Sequence, residues 1–215
     1  MSHPMFGEHR ELLEEAVHAI RGRAYWSPWP EHPKAYGEGA LDAGREAFDA
    51  YREANFYLDQ PGVVDRIGAE VSPYGLHLDI RYPRCRPDAL IAAARAAMSA
   101  WTRAGADVRA GVCVEILARL NIHSPEIAHA AMHTTGQPLA MAFRAAGPHA
   151  QARGLEAVAL AWREMKEIPD SAVWEKPQGT HASLRLEMRY AVVPRGVALV
   201  VGCSTFPTWN AYPGL

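Results

Sequence analysis

The sequence predicts an α/β protein that is mostly helical over its first ~180 residues and begins a parallel sheet near its C-terminal end. Apolar residues recur at helical spacing in several segments between residues 5 and 166. Residues 184–193 instead alternate apolar and polar side chains, which predicts a strand with one buried face. Residues 197–201 form a short, unbroken and mostly β-branched apolar run, typical of a strand buried on both faces of a parallel sheet.

The helices are predicted in order as follows. Residues 5–21 carry glutamates early and arginines late, as the helix dipole favours, and residues 40–54 form a second helix. Two helices follow at 88–104 and 108–120, the second capped by Asp107. The next helix has Ser124 as its cap, Pro125 at its first position and Gly136 at its C-cap. The last helices cover 139–144 and, after Gly147-Pro148, the stretch to 166.

Three segments are predicted to lie outside the helices. Residues 25–33 are rich in aromatic residues and proline, which predicts an extended strap whose Trp26 and Trp29 pack onto the body; a peptide-binding surface is the alternative. Residues 70–82 alternate in polarity through Leu76, Leu78 and Ile80, which predicts a half-buried strand. Residues 168–179 contain two prolines and are predicted to form a loop.

Composition excludes several classes of protein. The chain has 215 residues and a formal net charge of -2, so no electrostatic argument favours binding to nucleic acid or to an anionic membrane. The apolar runs are shorter than the ~20 residues of a membrane helix, and no signal peptide is visible. The three cysteines have no metal-binding or disulfide spacing, which suits a reducing cytoplasm. We therefore expect a cytoplasmic protein.

Glu126, His129 and His133 are candidate metal ligands. The two histidines lie four residues apart on one helical face, with the carboxylate beside them, as a metal would require. The pattern is not HExxH and suggests no third protein ligand. Packed or surface histidines are the favoured interpretation, and no metal is predicted.

The candidate site follows the apolar run at 197–201. Gly202, Cys203, Ser204 and Thr205 are all small, so a ligand can approach the backbone, and Ser204 or Thr205 could cap a helix that starts near Pro207. A strand, a small polar turn and a helix are the layout that binds a cofactor in open α/β sheets. No GxGxxG is present, and a plain buried strand and loop is the alternative.

Several motifs in the chain resemble known ones. The residues Pro194, Gly196 and Val197, followed by Phe206 and Pro207, resemble the "PxGV" and "PWNFP" stretches that open the cofactor domain of the aldehyde dehydrogenase superfamily. Within it, the chain resembles the N-terminal part of the phenylacetic acid degradation protein PaaN-like branch. The motifs that carry this closer resemblance are YWSPWPEHP at 25–33, VSPYG at 71–75, HTTGQP at 133–138, WEKPQG at 174–179 and GCSTFPTW at 202–209.

The resemblance implies an aldehyde dehydrogenase-like N-terminal portion that ends in the first strand of a Rossmann-like parallel sheet. It divides the chain into a helical part at 1–183, an oligomerisation strand and turn at 184–196, and the start of an NAD(P)-binding domain at 197–215. The 184–193 strand would join a neighbouring subunit in a homo-oligomer. The implied cofactor contacts are Gly202, Cys203, Ser204, Thr205 and Phe206.

The implied activity is the oxidation of an aldehyde with NAD or NADP. The substrate would be a semialdehyde from phenylacetate or another aromatic compound, either free or linked to coenzyme A. In the family the nucleophilic cysteine and the general-base glutamate follow the region matched here. The chain is therefore expected to be an incomplete sequence that is inactive alone, and Cys203 is expected to have a packing role rather than to act as the nucleophile.

One position departs from the family pattern. Most aldehyde dehydrogenases have an asparagine before Phe-Pro, whose amide donates to the oxyanion of the tetrahedral intermediate. Here that position is Thr205, whose hydroxyl reaches less far. Asn210 follows at a position that lines the substrate channel in the family. The hypothesis is that Thr205 or Asn210 is the oxyanion donor.

Two other functions remain open from the sequence. A short non-catalytic interaction module could pair with a full-length relative by adding the 184–193 strand to its sheet. A stand-alone helical binding protein could use the aromatic strap, although no residue pattern indicates a pocket.

Overall fold

The computed structural model describes residues 4–180 and 182–215. Within them, no helix is both long enough and apolar enough to cross a membrane. Short 3₁₀ helices lie at Pro33–Tyr36 and Tyr212–Gly214. The other elements are α1 (Pro4–Gly22), α2 (Ala40–Asp49), β1 (Val63–Ile67), β2 (Tyr82–Cys85), α3 (Pro87–Ile122), α4 (Ser124–Thr135), α5 (Leu139–Ala146), α6 (Pro148–Lys166), β3 (Ser171–Gln178), β4 (Ala182–Arg189) and α7 (Pro207–Ala211).

The main core lies between α1, α3 and α6. Leu13, Val114 and Leu117 are fully buried there, because each helix presents one apolar face to the other two. Trp26 and Trp29 pack against this core from the strap. The predicted helices at 5–21 and 148–166 and the packed strap are thus confirmed.

Helix α3 is broken at Gly105, which has φ 77 and ψ 172. This conformation is open to glycine and strained for other residues, so it separates two helical halves. The prediction of two helices at 88–104 and 108–120 is confirmed, with Gly105 as the break. Asp107, at the start of the second half, accepts a hydrogen bond from the Trp162 indole at 2.9 Å and so connects α3 to α6.

Helices α2 and α4 approach each other closely at Gly44. A Cβ on Gly44 would lie 2.5 Å from the Pro125 carbonyl carbon, so only glycine allows this packing. Helix α2 ends at Asp49, earlier than the predicted residue 54. Helix α4 ends at Thr135, and the φ of 79 at Gly136 gives the left-handed C-cap that the sequence predicts.

The strand predicted at 70–82 is wrong. Leu78 and Ile80 are buried while His77 and Asp79 are exposed, so the predicted alternation of burial is present. However, Asp79 has a φ of 50, which interrupts the extended conformation that a strand requires. Tyr82 begins β2, which pairs with the unpredicted β1 in an antiparallel two-stranded sheet.

The loop predicted at 168–179 is also wrong, because residues Ser171–Gln178 form β3. This strand pairs antiparallel with β4 in a regular register from Ser171 opposite Arg189 to Gln178 opposite Ala182. The predicted strand at 184–193 is confirmed as far as Arg189. Its predicted buried face is not found, because every described residue of the β3–β4 hairpin is exposed.

Residues 197–201 form no strand within the described part of the chain. Leu199 and Val201 are 88% and 77% exposed. A strand requires a hydrogen-bonding neighbour, and the two sheets formed by the described residues, β1–β2 and β3–β4, offer it none. The predicted first strand of a parallel sheet is therefore absent from the structure of this chain. The predicted helix after it is present as α7.

Candidate functional site

The predicted cofactor turn, residues 202–206, lies at the surface and leads into α7. A Cβ on Gly202 would lie 2.8 Å from the Pro207 carbonyl oxygen, so the tight path of the chain here requires glycine. The Phe206 N–H donates to the Cys203 sulfur at 3.2 Å. The turn therefore closes on Cys203 and presents small residues outward.

The predicted cap of α7 is wrong. Phe206 occupies the N-cap position, and neither Ser204 nor Thr205 makes a capping hydrogen bond. Neither side chain therefore hydrogen-bonds to the first turn of α7. The Cys203 sulfur accepts the Phe206 N–H instead, because the tight turn brings it within reach.

Gln137, just after the end of α4, holds the 202–206 turn in place by a hydrogen bond. Its Nε2 donates to the Thr205 carbonyl oxygen at 2.5 Å, and the Gln137 side chain is 8% exposed. Its Oε1 is buried and makes no hydrogen bond with any residue that the structure describes. Since Gln137 follows the Gly136 C-cap of α4, the end of that helix fixes the backbone position of Thr205.

Residues 71–75 brace the Gly136-Gln137 segment. The Tyr74 hydroxyl donates to the carbonyl oxygens of Gly136 and Gln137 at 3.2 and 3.1 Å. Ser72 Oγ lies 3.0 Å from His133 Nδ1, near the end of the same helix. Two of the sequence motifs that carry the family resemblance, at 71–75 and 133–138, thus meet and support the 202–206 turn.

A cavity of about 820 Å³ opens between α5 and α7 beside this turn. At the edge of this cavity, the Cys203 thiol donates a hydrogen bond to Asn210 Oδ1 at 2.7 Å. The Asn210 Nδ2 group donates to no residue within the described ranges, so both of its N–H donors can bind a ligand. The residues that line the cavity are Ala140, Met141, Arg144, Ala145, His149, Cys203, Phe206, Trp209 and Asn210.

The structure brings together only some of the predicted site residues. Cys203, Phe206 and Asn210 line the cavity, whereas Gly202, Ser204 and Thr205 do not. Of the two oxyanion candidates, Asn210 therefore lies in the cavity and Thr205 is fixed beside it by Gln137. Thr205 Oγ1 makes no hydrogen bond within the described chain.

A second cavity of about 510 Å³ lies between α1, the strap and α6. Glu31 accepts a hydrogen bond from the Tyr25 hydroxyl at 2.6 Å and lies 3.0 Å from His149 Nε2. These two hydrogen bonds, the one from Tyr25 first, lower the pKa of Glu31. His149 and Trp209 line both cavities, with their rings edge to face at 6.1 Å, and form the wall between them.

The two candidate metal-binding histidines, His129 and His133, are used in packing. His129 Nε2 hydrogen-bonds to the Leu41 carbonyl oxygen at 3.0 Å. His133 stacks on Phe48 with ring centroids 5.1 Å apart, and burial lowers its pKa. Glu126 lies 3.0 Å from His123. The favoured interpretation of this motif, packed histidines, is confirmed for both rings.

Another cluster holds potential metal ligands. Glu8, His9 and Glu115 place one ligand atom each within 4.8 Å of one another. His9 Nε2 lies 2.7 Å from Glu115, and Arg119 lies 2.6 Å from the same carboxylate. These ion pairs account for the cluster, which joins α1 to α3.

Comparison with solved structures identifies the fold. The crystal structure of an NAD-dependent aldehyde dehydrogenase from Burkholderia multivorans matches 100% of this chain with a TM-score of 0.95 and 55% sequence identity. The chain has an aldehyde dehydrogenase fold. It covers 39% of the chain of that enzyme. No protein-family model matches the chain, and neither does any curated protein.

The aldehyde dehydrogenase fold confirms the predicted fold class and the resemblance to that superfamily. The matched region is less than half of the aldehyde dehydrogenase of known structure. The closer resemblance to the PaaN-like branch remains a prediction.

Sequence reasoning missed three residues of the site. Gln137 lies within the quoted HTTGQP motif, but nothing in that motif indicates that it reaches Thr205. Arg144 and His149 carry no motif, and they become cavity residues only because α5 and α6 pack beside α7. A polar residue immediately after a predicted C-cap glycine was the one available signal for Gln137.

Proposed function

We propose that this chain forms the N-terminal part of an NAD-dependent enzyme that oxidises an aldehyde to a carboxylic acid. The observation that carries the proposal is 55% identity, over the whole chain, with an NAD-dependent aldehyde dehydrogenase. The cavity beside the 202–206 turn supports it, because it gives an aldehyde a site next to the proposed cofactor contacts.

The proposed cofactor contacts are Gly202, Cys203, Ser204, Thr205 and Phe206. The turn suits a dinucleotide because its small residues are exposed and Gly202 leaves its backbone open to close approach. NAD would accept a hydride from the substrate, with NADP as the alternative cofactor. Since Cys203 and Phe206 belong to both the turn and the cavity, an aldehyde in the cavity would lie against the turn.

The proposed oxyanion donor is Asn210, with Thr205 as the alternative. Asn210 lines the cavity and its amide oxygen accepts the Cys203 thiol, so the Nδ2 group is oriented by a neighbour before any substrate binds. A donor held in place in this way stabilises developing negative charge without reorganising. The Thr205 side chain lacks such an orienting partner among the described residues.

The proposed substrate is a semialdehyde from phenylacetate or another aromatic compound, free or linked to coenzyme A. The cavity wall is formed mainly by Met141, Phe206 and Trp209, with small alanines between them, which suits an apolar carbon chain. The aromatic-catabolism assignment comes from the sequence motifs that resemble the PaaN-like branch.

The activity is tested by assaying the complete enzyme, purified with its full coding sequence, for aldehyde-dependent reduction of NAD and of NADP. We expect reduction of NAD by semialdehydes, and no reduction by residues 1–215 alone, because the resemblance places the nucleophile outside them. If the complete enzyme reduces neither cofactor with any aldehyde, the proposal is wrong and the non-catalytic interaction module becomes the better explanation.

The β3–β4 hairpin is proposed to join the chain into a homo-oligomer through residues 184–193. Its register places Trp174, Leu184, Leu186 and Met188 on one face, and these side chains are 40–49% exposed. The other face carries charged residues, including the ion pair between Arg185 and Glu175 at 3.3 Å. An apolar hairpin face of this kind needs a cover, and a neighbouring subunit would provide one.

Replacing Leu186 with glutamate should weaken this association. The charge would be placed on the apolar face and would have to be desolvated on assembly, so the complete enzyme is expected to sediment as a smaller species. Replacing Glu187 with lysine on the opposite face of the same strand is the matched control and should leave the sedimentation coefficient unchanged. Equal behaviour of the two variants would contradict the proposal that this face is buried between subunits.

A further inference from the structure

We infer that the cavity between α5 and α7 takes aldehydes that carry a carboxylate group, and that Arg144 binds that carboxylate. This inference rests on the proposed function, because it requires that an aldehyde occupies the cavity. It adds a residue that selects the substrate, on an element outside the sequence motifs.

The first observation is the composition of the cavity wall. Five of its residues are apolar, namely Ala140, Met141, Ala145, Phe206 and Trp209. Arg144 is the only described lining residue with a permanent charge. Arg144 itself is exposed, so its guanidinium is accessible to an anion that enters the cavity.

The second observation is that Arg144 has no partner among the residues that the structure describes. It forms no ion pair and no hydrogen bond with any residue in the described ranges, whereas Arg153 pairs with Glu156 and Arg163 pairs with Glu164. Within the described residues, the donors of the Arg144 guanidinium are therefore unoccupied. Two of them can bind the two oxygens of one carboxylate in a bidentate arrangement.

The third observation concerns the nearest acidic group. The pKa of Glu31 is lowered first by its hydrogen bonds with Tyr25 and His149 and only last by the charge of Arg144. Among the described residues, Glu31 makes no ion pair with Arg144 and so does not occupy its donors.

A structural role for Arg144 is the competing explanation. The residue lies in the last turn of α5, where a cation stabilises the helix dipole by about 0.3–1 kcal/mol. That interaction needs only a positive charge and is satisfied equally by lysine. It does not require the side chain to line an apolar cavity, and it predicts no difference between substrates.

The arrangement also indicates where each end of the substrate would lie. Cys203 and Asn210 belong to the turn and α7, whereas Arg144 belongs to α5 on another wall of the cavity. An aldehyde group near Asn210 and a carboxylate near Arg144 would leave an apolar carbon chain between them, against Phe206 and Trp209. The ligand class is therefore an aliphatic or aromatic aldehyde with a carboxylate at its far end.

The test compares two aldehydes of equal length on the complete enzyme. Glutaric semialdehyde carries a carboxylate where pentanal carries a methyl group. In the R144M variant we expect the ratio of kcat/KM for glutaric semialdehyde to that for pentanal to fall by roughly 10- to 100-fold, as loss of a charged hydrogen bond predicts. The value for pentanal should stay within about threefold, since no charged contact is lost with that substrate.

Two further variants complete the test. R144K keeps the charge and should recover part of the ratio, because lysine binds a carboxylate through a single point charge. R153M removes an arginine of the second cavity that is already paired, and it should leave the ratio unchanged. Melting temperatures of all variants show whether each protein is folded.

The inference is overturned if R144M leaves the ratio unchanged, or if it lowers both kcat/KM values equally, which would assign Arg144 a structural role. The failure of the proposed function looks different. In that case the unsubstituted enzyme would reduce NAD with neither aldehyde. If the enzyme oxidises pentanal but the kcat/KM ratio of the two aldehydes does not change in R144M, the proposed function stands. Only the inference about Arg144 is then rejected.

Discussion

Replacing Asn210 with alanine in the complete enzyme is expected to lower kcat by about 10²- to 10³-fold, the effect of removing one oxyanion donor. Asn210 lines the cavity, and its Oδ1 accepts the Cys203 thiol at 2.7 Å. This contact orients the amide so that Nδ2 is free to donate. The alanine side chain has no donor, so negative charge on the substrate oxygen would lose that stabilisation.

Replacing Thr205 with valine is the matched control, because valine has nearly the shape of threonine and lacks only the hydroxyl. Gln137 holds the backbone carbonyl of Thr205, which the substitution keeps. We expect a change in kcat of less than about threefold, since a freely rotating hydroxyl outside the cavity is a poor oxyanion donor. Steady-state kinetics with one aldehyde at saturating NAD measure both variants.

The two variants separate the alternatives that the sequence left open. A large loss in Thr205→Val with none in Asn210→Ala would assign the donor to Thr205. If both variants keep kcat/KM unchanged, the oxyanion proposal is wrong for both residues. Binding of the substrate is monitored by KM, which should change little in either variant because the interaction is formed in the transition state.

The largest effect on stability is expected for Phe143→Ala, which should lower the free energy of unfolding by about 3–5 kcal/mol. The Phe143 side chain is fully buried, with its ring edge to face against Tyr36 at a centroid distance of 5.4 Å. Truncation leaves a void that the surrounding helices fill only in part. The melting temperature of the complete enzyme should fall by roughly 2–4 °C, because the shift is the free-energy change divided by the unfolding entropy of a long chain.

Met141→Ala on the same helix is the control for this stability effect. Met141 is 46% exposed and lines the cavity, so its truncation removes little buried surface. We expect a stability change below about 1 kcal/mol, with an effect on KM instead. Comparable melting temperatures for the two variants would show that α5 is not held by Phe143.

The helices were predictable because their signals are local. Apolar spacing, glycine at the C-cap of α4 and proline at the helix starts predicted α1, α4 and α6 with small errors at their ends. The two halves of α3 were predicted as separate helices for the same reason. Each of these signals acts within a few residues of the position it determines.

The strands were harder to predict. Residues 70–82 show the correct alternation of burial but no strand, because Asp79 has a positive φ and alternation does not specify a pairing partner. Residues 171–178 form β3 despite Pro177, because an exposed hairpin tolerates proline where a central strand would not. Residues 197–201 have the composition of a buried strand but lie exposed in this chain.

Some residues of the candidate site were predictable from the sequence and others were not. The 202–206 turn was found from its small residues, and Asn210 from its place in the family pattern. Gln137, Arg144 and His149 were missed, because they meet the turn or the cavity only through packing between α4, α5, α6 and α7. The spacing of residues in the sequence does not indicate which helix faces pack against each other.

Local residue patterns were therefore sufficient to establish the helices, the glycine-dependent turns and the resemblance of the motifs to aldehyde dehydrogenases. Tertiary packing alone established the β3–β4 pairing, the anchoring of Thr205 by Gln137 and the cavity that contains both Asn210 and Arg144. The physical reason is the range of the interactions. A helix satisfies its hydrogen bonds within one segment, whereas a strand or a cavity requires groups from segments far apart in sequence.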